Sequence, residues 1–324
     1  VTRDLDEDDV RVRAGRPSRP RTRRRPDHAD AQSAVVVTVD RGRYTCRVSG
    51  QALPVVAVRG GNLRRSAVVV GDRVELVGSL DGADGSLARI VRLAERTTVL
   101  RRTPDDDDPV ERPVVANADL LVIVTSLADP TPQPRLIDRC LVAAFDGGLG
   151  AALVLTKSDL AGDADLRARY RPLDLPVVTV ARDTPLTGLL ELLDGRTSVL
   201  FGSSGVGKST LVNRLVPGAG RSTGTVGAGG GGRHTTSAAL MLALPGGGWI
   251  VDTPGVRSFG LGLVDPGRVL GAFPDLAAAV ADCPPGCRHV GGDGCALDSV
   301  GPQLAGRVQA YRRLLAAASA SERG

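Results

Sequence analysis

The rhythm of apolar and polar positions changes three times along the chain. Residues 1 to about 30 carry almost no apolar positions, acidic from Asp4 to Asp9 and then arginine-rich from Arg11 to Arg25. Such a stretch buries too little to offset its ordering entropy, which predicts a disordered charged arm over 1–33. From about 34 to 96, short β-branched runs (AVVVTVD, RYTCRV, LPVVAVR, SAVVVGDRVELVG and SLARIVRL) are separated by glycine and polar turns. Five strands at this spacing without a helical period predict a small closed β-barrel of the OB type. Past 97, after a solvated linker at Asp105 to Asp108, the apolar runs become continuous: 118–127, 150–159, 175–180, 198–203, 239–244 and 249–255. Helical stretches around 135–146, 186–193 and 208–216 intervene. Strands alternating with helices predict a mostly parallel sheet covered on both faces over 97–263. The runs 239–244 and 249–252, joined only by PGGG, are expected to form an antiparallel hairpin. From 264 to 324 a smaller helical unit is expected, with a cysteine-rich loop at 283–295 and an amphipathic helix from about 302 to 319.

Composition narrows the class. The 324 residues suit two or three domains, and 42% hydrophobic content with a net charge of +5 excludes a wholly disordered chain. No apolar run reaches the roughly 18 residues of a membrane span, and the N-terminal stretch lacks the apolar region of a secretory signal. Five cysteines, three of them crowded near the C-terminus, do not make a disulfide framework, so a reducing, cytoplasmic setting is expected. Only two of the 41 basic residues are lysine, Lys157 and Lys208. A GC-rich coding bias accounts for the scarcity and predicts that lysine persists where arginine cannot substitute. Arginines 41, 43, 47, 59, 64 and 65 sit on or between the barrel strands. Tyr44 is the only aromatic there, so any RNA contact is expected to read shape and backbone rather than stack bases.

Chemistry concentrates in four motifs. GSSGVGKST (Gly202, Ser203, Ser204, Gly205, Val206, Gly207, Lys208, Ser209, Thr210) follows an apolar strand and opens a helix, the setting of a phosphate-binding loop. Its backbone N–H groups and helix N-terminus face phosphates, Lys208 reaches the β- and γ-phosphates, and Ser209 ligates Mg²⁺. TKSD (Thr156, Lys157, Ser158, Asp159) is similar to the Asn-Lys-x-Asp motif of GTPases. There the aspartate accepts two hydrogen bonds from guanine, and the lysine stem packs on the purine; Thr156 replaces the asparagine. DTPG adds Asp252, expected to hold Mg²⁺ through water, and Gly255, expected at the γ-phosphate. The next residue, Val256, cannot orient an attacking water, so slow intrinsic hydrolysis is expected. Between these motifs a glycine-rich stretch, 218–236, sits where a first switch belongs, and its glycine content argues against a rigid structure without ligand. Thr235 or Thr236 would complete the Mg²⁺ shell, and His234 is the candidate for orienting the water; its plain alternative is an exposed loop histidine. The order is permuted, because the guanine motif precedes the phosphate loop. Finally, Cys283, Cys287, His289 and Cys295 supply three thiolates and an imidazole, the donor set of a structural zinc site. Cys46 and Cys140 read as core residues.

With permuted GTPase motifs, GRHTT, DTPGVRSFG and the CPPGCRHVGGDGC loop behind a β-barrel, the chain resembles the ribosome small subunit-dependent GTPase A family over about 34 to 320. The resemblance implies an OB fold, a circularly permuted P-loop GTPase domain and a zinc domain. It also implies a monomer that binds the 30S subunit and its 16S rRNA during late maturation and leaves upon subunit-stimulated GTP hydrolysis. Gly205 stands where potassium-activated GTPases carry asparagine, so a monovalent-cation requirement is not expected. Two rival readings remain: an ATP-using P-loop enzyme, and an RNA-binding scaffold with a weak or vestigial nucleotide site.

Overall fold

The computed structural model describes residues 28–63, 66–83, 85–102, 112–220, 239–253, 261, 264–292 and 294–319. The charged arm up to residue 27, the acidic run at 105–108, Arg64, Arg65, His234, Thr235, Thr236, Gly255 and Val256 lie outside them. The elements from Ala31 onward belong to one body.

Five strands come first: β1 (Gln32–Asp40), β2 (Arg43–Val48), β3 (Val55–Arg59), β4 (Arg73–Gly78) and β5 (Ala88–Leu93). Neighbours run β1-β2-β3-β5-β4 and back to β1, with β3 and β5 parallel and every other pair antiparallel. This closed order is that of an OB-type barrel. Alternation along β1 and β2 turns Ala34, Val36, Tyr44, Cys46 and Val48 into the barrel, where they pack with Val55, Val74, Leu76 and Ile90.

A short antiparallel pair, β6 (Val99–Arg102) and β7 (Arg112–Ala116), leads out of the barrel. The junction is fixed by charge and by close approach. Asp72 is fully buried, takes two bonds from Arg96 at 2.7 and 2.9 Å, and accepts the Val69 amide at 2.7 Å. Gly71, at φ +87°, has no room for a side chain: a Cβ there would stand 2.0 Å from the Ala116 carbonyl oxygen.

The second sheet contains β8 (Leu120–Ser126), β9 (Gly150–Thr156), β10 (Val177–Val180), β11 (Thr197–Phe201), β12 (Leu240–Ala243) and β13 (Trp249–Asp252). Its order is β10-β9-β8-β11-β13-β12, parallel except for the hairpin partner β12. All seven residues of β8 are buried, as a strand covered on both faces requires. Helices α1 (Pro134–Asp146), α2 (Ala164–Tyr170), α3 (Thr187–Leu193) and α4 (Lys208–Leu215) connect these strands. Leu189, Leu193, Leu211, Val212 and Leu215 of α3 and α4 bury one face. Ile137, Cys140 and Leu141 of α1 bury the other. Each fully buried leucine of this kind stabilises the fold by about 1.5–3 kcal/mol.

The C-terminal helices α5 (Pro266–Gly271), α6 (Pro274–Val280) and α7 (Pro302–Ser319) join the same core as α1. Phe273 meets Phe145 of α1 edge-on at 6.1 Å and Tyr311 of α7 at 5.3 Å. Asp265 caps α5 by accepting the Gly267 amide at 2.8 Å. No helix among the described residues is long and apolar enough to cross a membrane.

The hairpin β12–β13 forms as the sequence predicts, but β12 is not a free edge. Thr38 of β1 pairs with Leu240, so barrel and parallel sheet run together as one eleven-stranded sheet. Two elements were not expected: the β6–β7 pair, and α2 with the single 3-10 turn that follows it over Arg171–Leu173.

Candidate nucleotide and metal sites

Parallel strands gather the loops after them at one end of the sheet, and ligands of such sheets bind there. Thr156 ends β9 and leads into Lys157 to Asp159, Gly202 to Thr210 follow β11, and Asp252 ends β13. Sequence positions about fifty and a hundred residues apart therefore meet along one edge.

The phosphate loop is shaped by close packing. A Cβ on Gly202 would stand 2.5 Å from the Val124 carbonyl oxygen, so the loop leaves β11 tight against β8. Gly205 and Gly207 hold φ near +82° and +89°, and Gly207 caps α4, so the first amides of that helix open toward the loop. Lys208 Nζ lies 3.9 Å from Asp252 Oδ1, and Asp252 is buried at the end of β13. A half-buried Ser209, the lysine and a buried carboxylate thus stand together at the mouth of the loop. Of these, the hydroxyl and the carboxylate are oxygen ligands suited to a hard cation such as Mg²⁺, while the ammonium suits an anion. Thr253 is also buried and donates to the Leu200 carbonyl at 3.1 Å, fixing the end of β13 against β11. Ser204, Gly205 and Thr210 are exposed, and Ser203 is half-buried.

In the TKSD segment, Thr156 does something its sequence position did not announce. Its buried hydroxyl donates to the Val206 carbonyl of the phosphate loop at 2.6 Å, with the Thr125 carbonyl at 3.3 Å. Lys157, at φ +57°, donates its ammonium to the Asp129 carbonyl. Ser158 is half-buried and Asp159 is exposed at the loop edge. The segment 128–133, which sequence reasoning passed over, touches both halves: Asp129 receives Lys157, and Pro130 lies 3.5 Å from where a Gly205 Cβ would be. Its signal was the run of alternate prolines, 130, 132 and 134, directly behind a buried strand.

The second cluster lies between α6 and α7. One ligand atom from each of Cys283, Cys287, His289 and Cys295 falls within 4.8 Å of all the others. A tetrahedral zinc with ~2.3 Å bonds to sulfur needs its ligands about 3.8 Å apart, so the four can close on a metal ion with small shifts. Cys283 Sγ and His289 Nδ1 are already 3.5 Å apart. The amides of His289 and Ala296 donate to the sulfurs of Cys287 and Cys283 at 3.4 and 3.3 Å. Arg312 of α7 reaches the Cys295 sulfur at 3.7 Å and the His289 carbonyl at 3.1 Å. Burial opposes ionisation of Cys295, but the Leu297 amide, its neighbouring cysteines and Arg312 outweigh it, so this thiol titrates below the ordinary cysteine range. Such donors around the sulfurs are what a thiolate metal site requires. Cys46 and Cys140 are fully buried in β2 and α1; burial pushes the Cys46 thiol up to about 12 and that of Cys140 higher still.

The chain matches known proteins along most of its length. The family model of the RsgA GTPase matches residues 93–262. A small ribosomal subunit biogenesis GTPase of Pseudomonas putida is 39% identical over 266 residues, covering 77% of this chain and 75% of that protein. Its counterpart in Gemmatimonas aurantiaca is 37% identical over 257 residues, covering 76% and 83%. Among solved structures, YjeQ from Thermotoga maritima superposes with a TM-score of 0.62 at 24% identity, over 88% of this chain and 99% of that one. YloQ, described as a circularly permuted GTPase, gives a TM-score of 0.64 at 22% identity, over 92% and 98%. At these identities the two structures speak for the fold, and they give it as the permuted one that the motif order predicts.

Proposed function

The chain belongs to the RsgA GTPase family and is a GTP hydrolase, and from that premise we propose that it serves the late maturation of the small ribosomal subunit in the cytoplasm. In this reading it binds the 30S particle as a monomer, and the particle speeds GTP hydrolysis and is then released. The observation that carries the reading is the convergence of TKSD, the phosphate loop and Asp252 at one end of the parallel sheet, with Lys208 3.9 Å from Asp252.

Asp159 accepts the guanine N1 and N2 hydrogens, a pair adenine lacks, and the Lys157 stem covers the purine face. The amides of the phosphate loop and the ammonium of Lys208 hold the phosphates, while Ser209, Asp252 and one of Thr235 and Thr236 hold Mg²⁺. When bound, the ion neutralises charge on the β- and γ-phosphates. Gly255 contacts the γ-phosphate and His234 orients the attacking water; both lie outside the described residues. Zinc is the metal proposed for Cys283, Cys287, His289 and Cys295, with all four positions filled by protein and none open for catalysis. The assignment of 34–96 to RNA binding, 97–263 to GTP hydrolysis and 264–324 to the metal unit follows the same reading, with 16S rRNA as the RNA contacted.

GTP hydrolysis measured with and without purified 30S subunits tests this. Faster turnover with subunits is expected, and equal rates would overturn the ribosome-activated reading. Lys208→Ala is expected to abolish nucleotide-dependent release of the protein from the subunit, whereas a scaffold with a vestigial site would release unchanged.

A further inference from the structure

At the opposite end of the parallel sheet from the phosphate loop, the barrel and the starts of β11 and β13 enclose a cleft of about 440 Å³. That volume lies in the range of small-molecule pockets, roughly 300–1,000 Å³. Nothing in the hydrolytic reading uses it.

Its walls are of two kinds. On the barrel side, the register pairs Val35 of β1 with Arg47 of β2 and with Arg73 of β4. Directly opposed residues point to the same face of a sheet, so the two arginines flank Val35 on the outer face of the barrel, about 10 Å apart across three strands. On the other side stand Trp249 at the first position of β13, and buried Met241 of β12. Arg47 lies over the indole with its guanidinium carbon 5.8 Å from the ring centroid. No lining residue is acidic, and among the described residues neither Arg47 nor Arg73 takes part in an ion pair. Two uncompensated guanidinium groups beside one half-buried indole suit a ligand that is both anionic and planar. Hydrogen-bonding side chains are close at hand in Ser49, Gln51 and Thr197.

We propose that this cleft holds one unstacked nucleotide of single-stranded RNA, its base against Trp249 and its flanking phosphates on Arg47 and Arg73. Bases stack on aromatic rings irrespective of sequence, and guanidinium groups bind phosphate oxygens through paired N–H donors. Arg47, which now lies over the indole, gives up that face to the base and turns its guanidinium to the phosphate. The expectation from sequence that the barrel lacks a stacking platform is thereby modified: the aromatic comes from the GTPase sheet, 205 positions beyond Tyr44, and only the shared β1–β12 sheet brings it to the arginines. This inference deepens the RNA-binding part of the proposed function and rests on it.

Trp249 is the only tryptophan in the chain, so its fluorescence reports on the cleft alone. The full chain, saturated with GDP to fill the phosphate loop, is titrated with single-stranded hexauridylate and hexaadenylate. Saturable quenching that weakens with added salt is expected, with at least a tenfold loss of affinity in Arg47→Glu/Arg73→Glu and a smaller loss in Arg47→Gln. GDP binding of each variant, read with a fluorescent analogue, verifies that it is folded. No saturable quenching, or quenching that the charge reversals leave intact, would overturn the proposal. So would equal competition by an RNA duplex, which offers no unstacked base, or equal quenching by free UMP and AMP, which would make the cleft a mononucleotide pocket. Subunit-stimulated hydrolysis measured on the same preparation separates the two levels: stimulation without quenching removes the cleft and leaves the ribosomal function standing.

Discussion

Removing the Thr156 hydroxyl tests whether β9 holds the glycine-rich loop after β11 in shape. Thr156→Val keeps the branched side chain and deletes one donor, the one that meets the Val206 carbonyl at 2.6 Å. Only one of the two carbonyls within reach can take the single hydroxyl hydrogen, and the nearer is Val206. Both residues are buried, so water does not replace the lost partner. A net hydrogen bond contributes about 0.5–1.5 kcal/mol, and a buried acceptor left unmade costs about 1–3 kcal/mol. The expected loss is therefore about 1–3 kcal/mol, felt where Val206 lies between the amides that would grip phosphate. If some 1.4 kcal/mol of this falls on the bound state, GDP binds about tenfold more weakly. Thr156→Ser keeps the donor and is expected to stay within about threefold of wild type. Titration with a fluorescent GDP analogue measures the affinities, and thermal unfolding without nucleotide measures the stability. A Thr156→Val protein that matches wild type in both would refute the idea that this hydroxyl bridges the two halves of the site.

Asp159→Ala is expected to lower GDP affinity by at least roughly a hundredfold, since two hydrogen bonds to a charged group contribute about 1.5–3 kcal/mol each, while ATP binding hardly moves. Competition by GDP and ATP for one labelled nucleotide reads the difference, and undiminished discrimination would count against guanine recognition by this residue. Asp72→Ala strands the Arg96 guanidinium and the Val69 amide at the exit of the barrel. Because the Arg96 side chain keeps 22% of its surface in water, the cost is set below that of a fully buried pair, at about 2–4 kcal/mol, measurable by urea unfolding. Of the five cysteines, Cys46 and Cys140 should resist a thiol reagent at pH 8 in the folded protein, and the three of the metal cluster should react only after a chelator is added. Cys287→Ser should cut the metal content of the purified protein, and equal metal in both proteins would remove the site.

The elements that stood out in the sequence are those whose burial is written in their own residues. Continuous runs such as LLVIVTS and alternating ones such as RYTCRV declare two-sided and one-sided burial before any partner is known. The G-x-x-x-x-G-K-S run and the Cys-x3-Cys-x-His-x5-Cys spacing stood out for a similar reason, being patterns contained within a few consecutive residues. What escaped was relational. VLRR and RPVVA are too short and too polar to read as strands, and they form one only because each completes the other. The hydroxyl of Thr156 looked like a lost amide, because the carbonyl it serves is fifty positions away. Pairing of β1 with β12 depends on a single register position, Thr38 with Leu240, which no periodicity encodes.

The order of strands also governs how the protein is made. A chain synthesised from its N-terminus at about 5–20 residues per second completes β8, β9 and β10 before β11 exists. Until β11 arrives, the flank of β8 that it will cover has no partner, although every residue of β8 ends up buried. The half of the pocket assigned to the base is thus finished first and waits, and a nucleotide can clamp the fold only after β13 has emerged. In a G domain of ordinary order the phosphate loop comes early, and ligand binding can assist folding from the outset. Here the ligand acts as a late check on a sheet already assembled, so the nascent protein must protect its half-built sheet by other means for the time taken to add some seventy residues.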